Sequence, residues 1–201
     1  MVEKKFKIAI TGGIGSGKSS VSKIIETFGF PVIKADDIAK ELMLQDESVK
    51  KKIIKAFGKE SFTEKGINTK YLSENIFCIK EKVDKINSII HPPVSKKIDQ
   101  IVNELFEEHK LVFIESALVY EAKIQKQFDY IVLVFTEEEI RIERKIKDGI
   151  LNRSDIEKRM SFQIPDEKKT SRAHFVIDNN TTIAELKTRT KFVISLIQAT
   201  L

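Results

Sequence analysis

The chain has 201 residues, enough for one α/β domain with insertions and a core that requires no metal or disulfide staple. Its net charge of +5 comes from 35 basic and 30 acidic residues scattered among one another. That pattern argues against a nucleic-acid partner, which a single basic tract would signal, and suits a polyanionic small substrate. The one cysteine, Cys78, cannot close an internal disulfide, and beside Ile76, Phe77 and Ile79 it reads as a small buried hydrophobe in a helix. Met1 to Lys5 leads into the first strand without an apolar signal region, and no stretch is long enough to span a bilayer, so a soluble, cytoplasmic protein without membrane contact is expected.

The chain is organised around its first twenty residues. Phe6 to Thr11 is a short apolar-rich strand, and Val21, Ile24, Ile25 and Phe28 mark one face of a helix. Between them lies Gly12-Gly13-Ile14-Gly15-Ser16-Gly17-Lys18-Ser19-Ser20, in which Gly12 and Gly17 bracket four residues before Lys18 and Ser19. This is the pattern of a phosphate-binding loop. Its glycines, Gly13, Gly15 and Gly17 among them, bring backbone N–H groups close to phosphate oxygens, where the positive end of the following helix adds to the attraction. Ser16 and Ser20 complete the loop, Lys18 supplies a positive charge for the β and γ phosphates, and the Ser19 hydroxyl is the candidate ligand for magnesium.

Gly29-Phe30-Pro31 then breaks the chain, and Val32 to Ala35 reads as a second buried strand with Asp36 and Asp37 at its carboxyl end. A helix follows with Ile38, Leu42 and Met43. Ser48 to His109 is almost wholly helical in pattern, punctuated by Gly58, Gly66 and Pro92-Pro93. That is too long for an ordinary crossover, so an inserted helical subdomain that closes over a substrate is expected. Continuous apolar runs at Leu111 to Ile114 and Tyr130 to Phe135 read as parallel strands covered on both faces. Thr136 with Glu139, Ser154 with Glu157 and Thr182 with Glu185 carry the spacing of helix capping boxes, Asp148 to Arg153 reads as a loop, and His174 to Ile177 is a last strand. The expected fold class is a three-layer α/β/α phosphate-loop NTPase with a five-stranded parallel sheet. Residues 6–42 and 110–201 form its nucleotide-binding core, 43–109 the insertion and 141–172 a lid region.

A phosphate loop serves kinases, GTPases and mechanical ATPases alike, so the second substrate must be read elsewhere. Asp36 ends the second strand, which is expected beside the strand that feeds the loop; it is placed either to accept the proton of an attacking hydroxyl or to cap a helix. Asp37 is the better capping candidate. Arg141, Arg144, Arg153, Arg159 and Arg172 follow the fourth strand. One or two of them are expected to reach the phosphates, where they stabilise spreading charge, and the others to form a charged helix face.

As a whole the chain resembles the dephospho-coenzyme A kinase family. The resemblance runs from Lys7 to Leu186 and rests on Thr11 to Ser19, Val32-Ile33-Lys34-Ala35-Asp36, His91-Pro92-Pro93-Val94, Ala117-Leu118-Val119-Tyr120-Glu121, Arg159 to Gln163 and Phe175 to Asn180, in that order. It implies transfer of the γ-phosphoryl of ATP to the ribose 3′-hydroxyl of dephospho-coenzyme A, with Asp36 as base and Lys18 and Arg144 assisting. It also implies substrate contacts from Lys40, His91 and Glu121, and nucleotide contacts from Asn179. By spacing alone, His91 is equally a turn residue before proline, Asp178-Asn179 a strand-end turn, and Glu115 or Glu121 a salt-bridge partner. Three positions depart from the family pattern: Lys34 stands where aspartate is usual, Lys40 where arginine is usual, and Ala117 where proline is usual. The spacing between Arg144 and Ser154 also departs, which leaves open which arginine meets the phosphates. The rival readings are another small-molecule kinase acting on a nucleoside or nucleotide, which the His-Pro element argues against, and a GTPase, which the absence of an Asn-Lys-x-Asp tetrapeptide argues against.

Overall fold

The computed structural model describes residues 4–77, 79–149 and 152–201. The expectations for Met1 to Glu3, for Cys78 and for Ile150 and Leu151 in the loop before Asn152 therefore lie outside the described residues. The chain divides into two compact units, one made of Met1–Lys34 with Val102–Leu201 and the other of Ala35–Ile101.

The first unit is built on a parallel sheet. Its strands are β1 (Phe6–Thr11), β2 (Val32–Lys34), β5 (Leu111–Glu115), β6 (Tyr130–Phe135) and β7 (Phe175–Asp178). They lie in the order β2-β5-β1-β6-β7. This corrects one expectation: β2 is not beside β1, because β5 fills the place between them and pairs with both. Side chains alternate as the pleat requires. Ile8, Ile10, Leu111, Phe113, Val132, Val134 and Ile177 face α1 (Lys18–Thr27) and α9 (Ile183–Gln198), which contribute Val21, Ile24, Ile25, Leu186, Val193, Ile194 and Ile197 to one buried cluster. Ala9 and Ile131 face the other way, onto Val119 and Tyr120, with Ile124, Phe128 and Ile164 packed around them. Two further cappings differ from expectation. Thr136 is fully buried and caps nothing; α6 (Glu138–Lys147) starts after Glu137, whose N–H donates to Asn180 Oδ1 at 2.8 Å. Asn152, not Ser154, caps α7 (Arg153–Met160), accepting from Asp155 N–H at 2.9 Å, since an asparagine one residue before the helix is already in capping position. Thr182 caps α9 as expected, and the short α8 (Asp166–Thr170) precedes β7.

The second unit holds α2 (Ala35–Gln45), α3 (Glu47–Phe57), the two-residue strands β3 (Phe62–Thr63) and β4 (Gly66–Ile67), α4 (Thr69–Asn75) and most of α5 (Lys80–Leu105). Asp46 and Asn68 cap α3 and α4. The β3–β4 hairpin was not expected in a helical pattern; two-residue strands are too short to show alternation. Pro92 and Pro93 do not punctuate this region: they lie inside α5. Their missing N–H groups leave the carbonyls of Ser88 and Ile89 without the usual helical donor, yet the helix continues. Ile86, Ile90, Val94, Ile98 and Val102, one every four residues, are all buried and hold it on either side of the pair. Among the described residues no helix is long and apolar enough to cross a membrane.

Candidate active site

The register brings the carboxyl ends of the sheet strands into line. Ile10 lies opposite Glu115, Lys34 opposite Glu115, Thr11 opposite Leu133 and Phe135 opposite Asp178. The loop after β1, the end of β5, Thr136 and Asn179 therefore meet at one edge, where open parallel sheets hold their ligands.

Gly17 precedes α1 with φ 90°, a conformation that side chains resist, and a Cβ there would meet Asn179 Nδ2. Gly13 is constrained differently: a Cβ there would run into Arg141 Nη1. The loop is pinned from both sides. Ser16 O accepts from Asn179 Nδ2 at 2.8 Å and from the Thr136 hydroxyl at 3.0 Å. Gly13 N–H donates to Asp166 Oδ2, and Ile14 N–H to Gln163 Oε1, each at 2.9 Å. Lys18 Nζ turns back onto the loop, donating to Gly12 O at 3.0 Å and Gly13 O at 3.1 Å.

The Ser19 hydroxyl donates to Glu115 Oε1 at 2.9 Å, while Glu115 Oε2 is buried without a hydrogen-bond partner. A hydroxyl and a carboxylate with an unsatisfied oxygen are hard oxygen donors, so this pair fits a magnesium ion. Position at the end of its strand left Glu115 open between substrate, a magnesium-bound water and a salt bridge; β5 sets it against Ser19.

The five arginines part company. Arg144 Nη2 donates to Asn179 O at 2.9 Å, and a Cβ on Gly17 would come within 3.9 Å of Arg144 Nη1. Arg141 is buried, with Nη1 3.2 Å from Asp166 Oδ2. Arg153 is held at the surface by Glu139 and Glu157, at 2.6 and 2.7 Å. Arg172 lies over the Tyr120 ring, 4.6 Å from its centre, and Arg159 is in the last turn of α7. Burial pushes the Tyr120 hydroxyl above its ordinary pKa, against the pull of Arg172. Asn179 is 7% exposed, and its backbone and side chain together connect Arg144, Thr136 and the loop. Its neighbours are fixed in turn: Arg189 Nη1 donates to the Asp178 carbonyl at 2.8 Å and also to its carboxylate.

A family model described as dephospho-CoA kinase matches residues 6–185. The chain belongs to the dephospho-CoA kinase family. It is 37% identical over 182 residues to the dephospho-CoA kinase of Fusobacterium nucleatum, covering 89% of this chain and 92% of that one. It is 34% identical over 190 residues to the dephospho-CoA kinase of Chlorobium chlorochromatii, covering 92% and 90%. The solved dephospho-CoA kinase of Campylobacter jejuni superposes with a TM-score of 0.70 at 27% identity, covering 97% of this chain and 98% of that one.

Set against what the dephospho-CoA kinase resemblance implies, the remaining residues stand as follows. Asp36 and Asp37 lie in the first turn of α2, and Asp37 pairs with Lys40 at 3.7 Å. His91 is partly buried in α5, and burial lowers its pKa from 6.5. Lys34, where the family usually has aspartate, approaches Glu26 at 4.0 Å. Glu121 Oε1 accepts from Ile164 N–H at 2.9 Å and pairs with the fully buried Lys169 at 3.0 Å. Sequence reasoning passed over Asp166, Lys169, Thr136 as a loop partner and Arg189. Gln163 and Asn180 carried a signal, each as the last residue of a family motif.

Proposed function

We propose that this kinase transfers the γ-phosphoryl of ATP to the ribose 3′-hydroxyl of dephospho-CoA, giving coenzyme A and ADP. The observation that carries this reading is the phosphate loop with Lys18 and the Ser19–Glu115 pair at the carboxyl edge of the sheet, in a chain of this family. The loop from Gly15 to Ser20 and the amino end of α1 receive the phosphates, through the amides left over once Ser16 N–H has bonded Gly13 O and Ser20 N–H has bonded Gly17 O. Lys18 exchanges the Gly12 and Gly13 carbonyls for β- and γ-phosphate oxygens, and Arg144, already beside Gly17, faces the charge that spreads over the transferring group. Asp36 accepts the proton of the attacking hydroxyl. Lys40, His91 and Glu121 contact the acceptor, Glu121 being held by Lys169 and the Ile164 N–H. Ser19 and Glu115 would hold magnesium, which when bound neutralises phosphate charge.

The test is ADP release from the purified chain with ATP and magnesium, alone and with dephospho-CoA, AMP or adenosine. Stimulation by dephospho-CoA alone is the expected result. Release that follows AMP or adenosine, or that ignores every acceptor, would overturn the assignment.

A further inference from the structure

Two amides of the phosphate loop do not serve an anion. Gly13 N–H and Ile14 N–H point instead at Asp166 and Gln163. A carboxylate against an anion cradle opposes the phosphates it must hold unless its charge is cancelled on the spot. Here it is cancelled. Asp166 is fully buried; its Oδ2 meets Arg141 Nη1 at 3.2 Å and its Oδ1 meets Lys169 Nζ at 3.2 Å, while Lys169 is completed by Glu121. The four side chains sum to zero charge, and the two loop contacts come from neighbouring points of the chain, Gln163 in the segment joining α7 to α8 and Asp166 at the first residue of α8.

From this geometry we infer that Asp166, with Gln163, is a positioning residue for the nucleotide: it clamps the first half of the phosphate loop through the Gly13 and Ile14 amides. The clamp holds the loop open for an anion before one arrives. It also ties the loop to the segment that closes the lid region, so a change in that segment reaches the nucleotide without touching it. The inference rests on the reading of the loop as an ATP site, not on the identity of the acceptor.

The test is ATP affinity by titration calorimetry without any acceptor, read beside melting temperature and the hydrogen exchange of the Gly13 and Ile14 amides. Asp166→Ala is expected to weaken ATP binding about tenfold, to speed exchange at Gly13 and to lower the melting temperature. Asp166→Asn keeps an acceptor for Gly13 and is expected to restore most of the affinity while remaining less stable. Arg141→Met with Asp166→Leu removes the pair together, leaves Lys169 with Glu121, and is expected to regain stability without regaining affinity. Gln163→Ala, at a partly exposed position, is expected to weaken ATP binding a few-fold with no change in melting temperature. That variant decides the matter if Asp166→Ala does not fold. The inference is overturned if affinity recovers along with stability in the double variant, if asparagine and alanine at 166 behave alike, or if Gln163→Ala binds ATP as the unaltered chain does. Failure of the unaltered chain to bind ATP would overturn the nucleotide reading itself, a result separate from the choice of acceptor.

Discussion

The two units of this chain are held by different means. In the sheet-bearing unit Arg141, Asp166 and Lys169 are buried and paired, and buried hydroxyl, amide and guanidinium groups converge on one loop. In the Ala35–Ile101 unit the ion pairs seen among the described residues, such as Lys80 with Asp84, are exposed, and apart from Ser61 the buried positions are apolar, Ile53, Leu72, Ile76 and Ile86 among them. Buried polar networks hold backbone atoms at fixed positions, which suits a loop that must present amides to an anion. Apolar helix packing tolerates repacking, which would suit the acceptor-holding role proposed for this region.

Four changes break or sharpen that contrast. Asp36→Asn, in the second unit, is expected to lower turnover by about 10² to 10⁴ with ATP affinity unchanged, measured by steady-state kinetics and calorimetry. Turnover within a few-fold of the unaltered enzyme would remove Asp36 as the base. In the first unit, Lys169→Met leaves the buried Glu121–Asp166 pair of carboxylates with Arg141 as their one remaining cation, on the Asp166 side, and is expected to cost about 3–5 kcal/mol in urea unfolding. His91 tests the acid side of the second unit. Burial lowers its pKa from 6.5, so as the pH falls through that value the unfolded chain takes up the proton before the folded one does. Stability is therefore lost on going from pH 6.5 down through the folded-state pKa and is flat above, and His91→Gln is expected to remove that slope from melting curves taken across the range. The smallest effect belongs to Lys80→Ala, which breaks an exposed pair and is expected to cost about 0.3–0.5 kcal/mol, vanishing in high salt.

Much of this was legible before any coordinates. Strand, glycine turn and helix from Phe6 to Thr27 appear where the pattern sets them, because each is dictated by residues within one or two turns of chain. The other four sheet strands are recognisable as apolar runs, with Ala35 passing to the start of α2. The errors have two kinds of cause, partners distant in sequence and a better-placed local neighbour. Thr136 and Ser154 have capping-box spacing, but Thr136 is drawn onto Ser16 and Asn179, partners distant in sequence, and Asn152 takes the cap from Ser154. Pro92 and Pro93 read as a break because a local rule cannot weigh the buried stripe that carries α5 through them.

What the sequence by itself determined is the anion-binding loop, the apolar runs that become strands and the motif set that places the chain in its family. All of these are encoded by residues close together along the chain. The tertiary structure alone decided the placing of β5 between β2 and β1, the pairing of Glu115 with Ser19 and the clamp on the loop. Gly13 and Asp166 are 153 residues apart, and Ile14 and Gln163 are 149 apart. No local pattern records such a contact; the two ends meet only because the folded sheet sets the turn after β1 against the segment that leads into β7.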